Sequence, residues 1–251
     1  MINNFKEAFE KSKIAGSIAA GALDEVSKII KPGISTDAID KVCYEFINDN
    51  KAYSAPLFYR GFPKSCCTSA NHIVCHGMPS DKILKEGDIL NVDVTALKDG
   101  WHGDTSRMFK IGNISVKAEK LIETTHEALM KAINIVKDGI HLGDIGSTIQ
   151  NHVEAQGFSV VQDFCGHGIG QQFHKEPNVL HYGEKGTGEK IYEGMIFTIE
   201  PMINQGSYET KILNDGWTAV TKDKLLSAQF EHTIGVTKNG CEVFTQPNQA
   251  Y

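Results

Sequence analysis

Carboxylates occupy positions in this sequence where a strand pattern calls for apolar residues. In segment 90–95 every second residue is apolar, and Asp93 lies among polar residues on the opposite face. If Asp99-Gly100 forms a two-residue hairpin loop, Asp104 lies opposite Thr95 and diagonal to Asp93. Two such carboxylates repel each other when ionised, so either one of them holds a proton or a metal ion bridges them.

Two later strands repeat the pattern. Glu200 ends the apolar segment 195–200, and Glu231 lies between Gln229 and Thr233, opposite an otherwise apolar face. Any one acid could face water, because charged residues are mostly exposed. All of them together require a cation to justify burial. The sequence therefore predicts a metal site at these acids: Asp93, Asp104, Glu200 and Glu231.

One histidine stands out from the rest. Glycines on both sides of His167 allow a ligand or the backbone to approach its ring closely. A dinucleotide loop is excluded because Gln171 replaces its third glycine, and the sequence has no H-E-x-x-H motif. His232 should point away from Glu231 and is left out of the ligand set. The other histidines without a motif are expected to be ordinary surface or core residues: His72, His102, His126, His141, His152 and His181.

Apolar periodicity predicts four helices and several strands. The helices cover residues 5–30, 35–47, 115–139 and 142–157. The strands cover residues 89–97, 105–111, 158–165, 195–200 and 228–237. Helices precede strands in each part of the chain, and no linker separates the parts. The prediction is one α+β domain over residues 1–251.

The amino-acid composition argues against several classes of function. Hydrophobic residues make up 41% and charged residues 22%, as in ordinary globular proteins. The net charge is −6 without a run of basic residues, so no nucleic-acid site is predicted. No apolar stretch is long enough to span a membrane. The sequence has six cysteines but neither a C-x-x-C pair nor a secretory signal, so a cytoplasmic location is expected.

Five motifs together resemble the type I methionine aminopeptidases. They occur in the family's order and span nearly the whole chain: Asn91–Thr95, Asp99–Ser106, Gly166–Gly170, Thr198–Met202 and Phe230–Thr233. The short segment between Glu200 and Glu231 has no room for the insertion of type II enzymes, which favours the short bacterial form. The resemblance implies an α/β (α+β) pita-bread fold. In that fold, antiparallel sheet covered by helices surrounds a dinuclear metal site, in pseudo-symmetric halves of roughly 1–114 and 115–251.

The resemblance also implies the metal ligands. Asp93 belongs to one ion, His167 and Glu200 belong to the other, and Asp104 and Glu231 bridge both. Such an oxygen-rich set suits Co, Fe, Mn, Zn or Mg without choosing among them. A monovalent cation, Na or K, is further expected at three backbone carbonyls, those of Asn71, Ile73 and Ser227.

The implied reaction is removal of the initiator methionine from nascent proteins whose second residue is small. Glu200 would shuttle the proton, His174 would stabilise the carbonyl oxygen and His76 would contact the scissile amide nitrogen. The methionine pocket would consist of Tyr59, Phe62, Cys67, Phe173 and Trp217. Phe62 and Trp217 could equally be plain core residues. His72 departs from the family, because many bacterial relatives have an acid at this position.

Two alternatives stay open. A prolidase or Xaa-Pro aminopeptidase shares the fold and the ligands, but usually carries a separate N-terminal domain. A catalytically inactive pita-bread protein could serve as a binding module, although such proteins lose ligands that this sequence retains. The expected partners are the N-terminal methionine of nascent polypeptides and, transiently, the ribosome. The expected state is a monomer.

Overall fold

The computed structural model describes residues 5–247, so the first four and the last four residues of the predicted domain lie outside the described part. The described residues form four α-helices: α1 (Phe5–Ile29), α2 (Thr36–Asp49), α3 (Val116–Ile135) and α4 (Leu142–Ala155). The strands are β1 (Tyr53–Ser54), β2 (Cys67–Ala70), β3 (Ile73–Cys75), β4 (Ile89–Lys98), β5 (Trp101–Lys110), β6 (Ser159–Val160), β7 (Gly166–Gly168), β8 (Lys175–Val179), β9 (Ile196–Ile199), β10 (Met202–Asn204), β11 (Thr210–Ile212), β12 (Ala219–Thr221), β13 (Ser227–Gln229), β14 (Glu231–Thr237) and β15 (Gly240–Val243).

All four predicted helices are present. Ser35 and Ser115 cap α2 and α3, and each side chain accepts a hydrogen bond from the backbone N–H three residues later, at 3.2 Å. The predicted end of α3 at residue 139 was wrong. Val136 already adopts an extended conformation, so the helix ends at Ile135.

The central hairpin confirms the predicted register. Asp99 and Gly100 form its loop with positive φ angles of 49° and 81°. Thr95 pairs with Asp104. Two residues earlier in β4, Asp93 pairs with Ser106, so Asp93 and Asp104 are diagonal neighbours as predicted. Strand β5 begins directly after the loop, earlier than the predicted start at residue 105.

The hairpin lies inside a large antiparallel sheet. Its strand order is β1-β4-β5-β14-β9-β7-β8, and β2 and β15 pair with β4 and β14 at the sides. The pairing of β5 with β14 joins the earlier part of the chain to the later part. Strands that are far apart in sequence therefore share one continuous face.

Two strand predictions need correction. In the predicted strand 158–165, only β6 is extended and paired, and the chain then loops until β7. The predicted strand 228–237 is two strands, because the chain changes sheets at Phe230. Strand β13 pairs with β10 in a small sheet, whereas β14 enters the large sheet between β5 and β9. Apolar periodicity does not reveal such a change of partner.

Two hydrophobic cores support the large sheet from the helix side. One contains residues of α1 and α2 with Leu90, Val92 and Val94 of β4. The other contains residues of α3 and α4 with Phe197 and Ile199 of β9. Because successive strand residues point to opposite faces, Asp93 and Thr95 are directed away from the first core. The acids therefore share the face opposite the helices.

Candidate metal centre

All five predicted ligands line one cavity of about 380 Å³. Asp93 and Asp104 come from the hairpin strands β4 and β5, and His167 comes from β7. Glu200 directly follows β9, and Glu231 begins β14. The structure thus brings together side chains from five separate strands or strand ends of the large sheet.

The distances within this group are short. The Nε2 atom of His167 lies 3.7 Å from Oδ2 of Asp104 and 3.6 Å from Oε1 of Glu200. Asp104, His167 and Glu231 each offer one ligand atom, and these atoms lie within 4.8 Å of one another. Such spacing is compatible with coordination of a shared cation after small adjustments of the side chains.

Three of the four carboxylates are buried, and Asp93 is half-buried beside them. Asp104 is 4% exposed and Glu231 only 2%. Burial raises the pKa of Asp93 to about 7. Burial, followed by repulsion from neighbouring carboxylates, raises the pKa values of Asp104, Glu200 and Glu231 well above their ordinary range. Within residues 5–247, no lysine or arginine forms an ion pair with any of these four acids.

The donor atoms fit a divalent cation. Oε1 of Glu231 is buried, and no group in the described part of the chain hydrogen-bonds to it. Burial lowers the pKa of His167 to about 4, so its ring is neutral near pH 7. Its Nδ1 lies 3.2 Å from the carbonyl oxygen of Gly168, which leaves Nε2 facing the acids with a free lone pair. Carboxylate oxygens and a neutral imidazole are suitable ligands for several divalent metals.

Neighbouring side chains orient these acids, and the sequence interpretation missed them. Thr95 donates a hydrogen bond to Oδ1 of Asp104 at 2.7 Å, and Thr198 donates one to Oε1 of Glu200 at 2.8 Å. Gln229 donates to the other oxygen of Glu200 at 3.4 Å. Thr198 could have been found from the sequence, because it is two residues from Glu200 and hence on the same face of the strand. Such partners set ligand orientation in metal sites.

The two histidines with predicted catalytic roles also line the cavity. Nδ1 of His174 lies 3.1 Å from the hydroxyl of Tyr59, and the rings of His174 and His167 are 4.2 Å apart. Burial and then His167 lower the pKa of His174 to about 3. Burial lowers the pKa of His76, whose ring packs edge-on against Phe164. Both rings are therefore neutral hydrogen-bonding groups near pH 7.

The five residues predicted for the methionine pocket line the same cavity: Tyr59, Phe62, Cys67, Phe173 and Trp217. Phe62 is only 3% exposed and packs edge-on against Trp217 at 5.2 Å, so it contributes both to the wall and to the core. Cys67 pairs directly with Asp93 across β2 and β4, which places the pocket next to the acids. Further lining residues were missed by the sequence interpretation: Cys75, Phe164, Cys165 and Met202.

Two histidines that were expected to be ordinary contact the site. The His102 ring stacks on Phe173, with ring centroids 5.4 Å apart. His181 accepts a hydrogen bond from the backbone N–H of Glu200 at 3.1 Å. His232 does not line the cavity, and its Nδ1 lies 2.9 Å from the Thr245 hydroxyl.

The segments predicted to hold a monovalent cation come close together. The backbone N–H of Ser227 donates to the carbonyl of Asn71 at 2.8 Å. Asn71 has a positive φ of 57°, and β3 begins two residues later at Ile73. A carbonyl oxygen has a second lone pair, so the Asn71 hydrogen bond leaves room for a cation contact. The cation itself stays a prediction.

None of the helices within residues 5–247 has the length and apolar character that crossing a membrane requires.

Comparison with known proteins gives a consistent result. Residues 10–238 match metallopeptidase family M24. The chain is 54% identical to a methionine aminopeptidase of Rickettsia prowazekii (strain Madrid E), over 94% of this chain and 92% of that protein. It is 53% identical to a methionine aminopeptidase of Escherichia coli (strain K12), over 95% and 91% of the two chains.

Solved structures agree with this relationship. A crystal structure of methionine aminopeptidase from Rickettsia prowazekii superposes with a TM-score of 0.95 at 53% identity, covering 96% of this chain and 98% of that one. A prolidase from Pyrococcus furiosus superposes with a TM-score of 0.77 at 23% identity, over 97% and 65% of the two chains, which shows a shared pita-bread fold alone. The chain therefore belongs to metallopeptidase family M24 and, within it, to the methionine aminopeptidases.

Proposed function

We propose that this enzyme hydrolyses the bond after an N-terminal methionine in polypeptides whose second residue is small. The observation that carries this proposal is one cavity with two chemically different walls. Three buried carboxylates, the half-buried Asp93 and His167 form one wall, and aromatic and thiol side chains form the other. The identities above 50% with two methionine aminopeptidases support the same reaction.

The carboxylate wall would hold two divalent ions. Asp93 would serve one ion, His167 and Glu200 the other, and Asp104 and Glu231 would serve both. The ions, when bound, supply a Lewis acid for the scissile carbonyl and lower the pKa of an attacking water. Co, Fe, Mn, Zn and Mg are all candidates, because oxygen-rich ligand sets accept each of them.

Glu200 would accept and return the proton of the attacking water. Its carboxylate is held by Thr198 on one oxygen and by Gln229 on the other. Burial and the neighbouring carboxylates raise the pKa of Glu200 above its ordinary value, which favours acceptance of a proton.

His174 would donate a hydrogen bond to the substrate carbonyl oxygen. The hydroxyl of Tyr59 can donate to Nδ1 of His174, which leaves the ring proton on Nε2. The lowered pKa of His174 keeps the ring neutral, so it acts as a hydrogen-bond donor without transferring a proton. His76, whose ring packs edge-on against Phe164 and Trp217, would contact the scissile amide nitrogen.

The apolar wall would bind the methionine side chain. Phe62, Trp217, Tyr59 and Phe173 supply aromatic surfaces, and Cys67 supplies a polarisable sulfur at the end next to Asp93. An unbranched thioether packs well against such surfaces. Burial raises the pKa of Cys67 well above its ordinary value, so the thiol stays neutral and apolar.

Several further assignments belong to the same proposal. We propose one catalytic domain whose halves are roughly 1–114 and 115–251, each with two helices before its main strands. Na or K would bind near the carbonyls of Asn71, Ile73 and Ser227. The six cysteines are free, which agrees with action in the reducing cytoplasm, close to ribosomes that supply nascent chains. We further propose that the enzyme acts as a monomer.

The test is a peptide panel with protein stripped of metal and then reloaded anaerobically with Fe, Mn, Co or Zn. Met-Ala-Ser should release methionine, whereas N-acetylated Met-Ala-Ser should not. Cleavage of Ala-Pro peptides in preference to Met-Ala-Ser would indicate a prolidase or Xaa-Pro aminopeptidase instead. Binding of peptide without cleavage under every metal would indicate an inactive binding protein.

A further inference from the structure

We propose that His181 is a positioning residue for Glu200: its Nε2 accepts the Glu200 backbone N–H and thereby holds the Glu200 carboxylate in place beside the other acids. This inference rests on the proposed function, because it concerns the orientation of a proposed metal ligand and proton shuttle. No sequence motif identified His181, and only the folded chain brings it behind Glu200.

Glu200 occupies a special backbone position. Strand β9 ends at Ile199, where pairing with β14 also ends. The next residue, Pro201, has no N–H group. The Glu200 N–H therefore lies beyond the sheet hydrogen bonds, in a residue that is 9% exposed. A buried N–H without an acceptor is unfavourable, and the His181 ring supplies the acceptor at 3.1 Å.

The hydrogen bond also defines the protonation of the His181 ring. Because the Glu200 N–H donates, Nε2 of His181 must be the unprotonated nitrogen, and the proton lies on Nδ1. His181 is 0% exposed, and no acceptor in the described part of the chain reaches Nδ1. Burying a ring whose N–H has no partner is unfavourable, so the free energy of folding alone would favour an apolar side chain at this position. An apolar side chain could not accept a hydrogen bond from the Glu200 N–H, as Nε2 of His181 does.

The backbone around His181 is itself held in place. His181 lies two residues after β8, and β8 pairs with β7, the strand that carries His167. From the other side, Gly146 of α4 packs against the carbonyl oxygens of Leu180 and Tyr182 so closely that no Cβ atom would fit. The His181 backbone is thus fixed at the end of β8, the strand that pairs with the one carrying His167.

Three groups together define the Glu200 position. Thr198 and Gln229 bind its two carboxylate oxygens, and His181 binds its backbone. Without the His181 contact, the peptide at Glu200 could rotate and carry the carboxylate away from His167, which lies 3.6 Å from it. Misplacement of a catalytic group by about 1 Å can cost about 100-fold in rate.

A matched pair of variants tests this role. In His181→Gln the new Oε1 lies two bonds beyond Cγ, as Nε2 does in histidine, whereas in His181→Asn the acceptor oxygen lies only one bond beyond Cγ. We expect His181→Asn to lose about 10- to 100-fold in Mn²⁺ affinity, measured by calorimetric titration of metal-free protein, and His181→Gln to stay close to wild type. We expect kcat on Met-Ala-Ser to follow the same order, with a loss of about 10- to 100-fold in His181→Asn and little change in KM. His152→Gln, a histidine of α4 away from the cavity, is the control.

Equal Mn²⁺ affinity and kcat in His181→Asn, His181→Gln and wild type would overturn the positioning role. A measurement on the wild type keeps the inference testable if a variant does not fold. Nitrogen NMR of ¹⁵N-histidine-labelled metal-free protein should show His181 protonated on Nδ1 and not on Nε2, and the opposite tautomer would also overturn the proposal. If wild-type protein releases no methionine under any metal, the proposed function fails, whereas the tautomer and the Mn²⁺ titrations still decide the role of His181.

Discussion

Asp93 and Glu231 lie in one row across three strands, because each is directly opposite Ser106 of β5. Asp93 comes from β4 on one side, and Glu231 comes from β14 on the other. Residues that are directly opposite share a face of the sheet, so both acids point into the same cavity. The sheet register, and not a flexible loop, sets their separation.

Removal of Asp104 should affect metal and activity together. Asp104 is the acid closest to the ring of His167 after Glu200, and it is proposed to contact both ions. We expect Asp104→Ala to lower kcat/KM on Met-Ala-Ser by at least about 100-fold and to weaken Mn²⁺ binding by about 10- to 100-fold or more. Peptide hydrolysis and calorimetric titration measure the two effects. Asp138→Ala, at an exposed acid, is the control, and full activity of Asp104→Ala would contradict the ligand assignment.

The stability of the metal-free protein should depend on Glu231 and on pH. Burial raises the pKa of Glu231, so the native state binds its proton more tightly than the unfolded state. The resulting stabilisation is fully present below the unfolded-state pKa, about 4.3, and is lost as pH rises through the raised pKa. We expect metal-free Glu231→Gln to be more stable than metal-free wild type by roughly 1 to 3 kcal/mol at pH 8.

This gain should shrink toward zero near pH 4, and urea unfolding at a series of pH values measures it. The buried histidines also affect stability below about pH 6.5, but both proteins share them, so the difference reports Glu231 and its repulsion with Asp104, Glu200 and Asp93. Glu193→Gln, at an exposed acid, is the matched control and should show no such trend. A gain that does not change with pH would contradict the raised pKa.

His174 should matter for turnover and little for folding. Its ring contacts Tyr59 and His167, and the residue is exposed, so it contributes little to the packed core. Loss of one donor to a developing oxyanion typically costs about 100- to 1,000-fold in kcat. We expect His174→Ala to show that loss while its thermal unfolding midpoint and Mn²⁺ affinity change little. Unchanged kcat would remove His174 from the reaction.

Tyr59 provides a finer test of the same hydrogen bond. Tyr59→Phe keeps the aromatic wall but removes the hydroxyl that lies 3.1 Å from Nδ1 of His174. Loss of a neutral hydrogen bond typically costs about 0.5 to 1.5 kcal/mol, so kcat should fall by roughly 2- to 13-fold. KM should change little because the ring still lines the pocket. A larger fall in Tyr59→Phe than in His174→Ala would indicate a direct role for the hydroxyl.

The pocket should be sensitive to volume at Cys67. This residue is 7% exposed, lines the cavity and pairs with Asp93. A leucine there would occupy space that we assign to the methionine side chain. One methylene in such a pocket changes discrimination by about 10- to 200-fold, so Cys67→Leu should lower kcat/KM on Met-Ala-Ser by at least about 10-fold. Mn²⁺ affinity should remain, and Cys241→Leu, away from the cavity, is the control.

Local rules explain the parts of the fold that the sequence predicted well. The Asp99-Gly100 loop and the alternation in β4 determine the hairpin register, so the neighbourhood of Asp93 and Asp104 could be derived from adjacent residues. The serine caps at Ser35 and Ser115 likewise start α2 and α3 through bonds only three residues long. These interactions join residues that are close in sequence, so they can be predicted without knowledge of any tertiary contact.

Other features depend on partners that are distant in sequence. Periodicity could not show that β13 and β14 separate at Phe230, because the two strands differ only in the sheets that they join. Nor could it show that His181 contacts Glu200, since no spacing rule relates the end of β8 to the end of β9. The sequence also contained no sign that His102 contacts the site, because its ring stacks on Phe173, which is distant in sequence.

Alternation and turn chemistry act over a few residues, so the placement of acids on one face of apolar strands could be derived from the sequence alone. The family resemblance then named His167 and the ligand set. The position of β14 between β5 and β9, which places Glu231 across Ser106 from Asp93, became known from the folded chain. Strand order is selected by burial of two hydrophobic cores over the whole chain, which no local pattern contains.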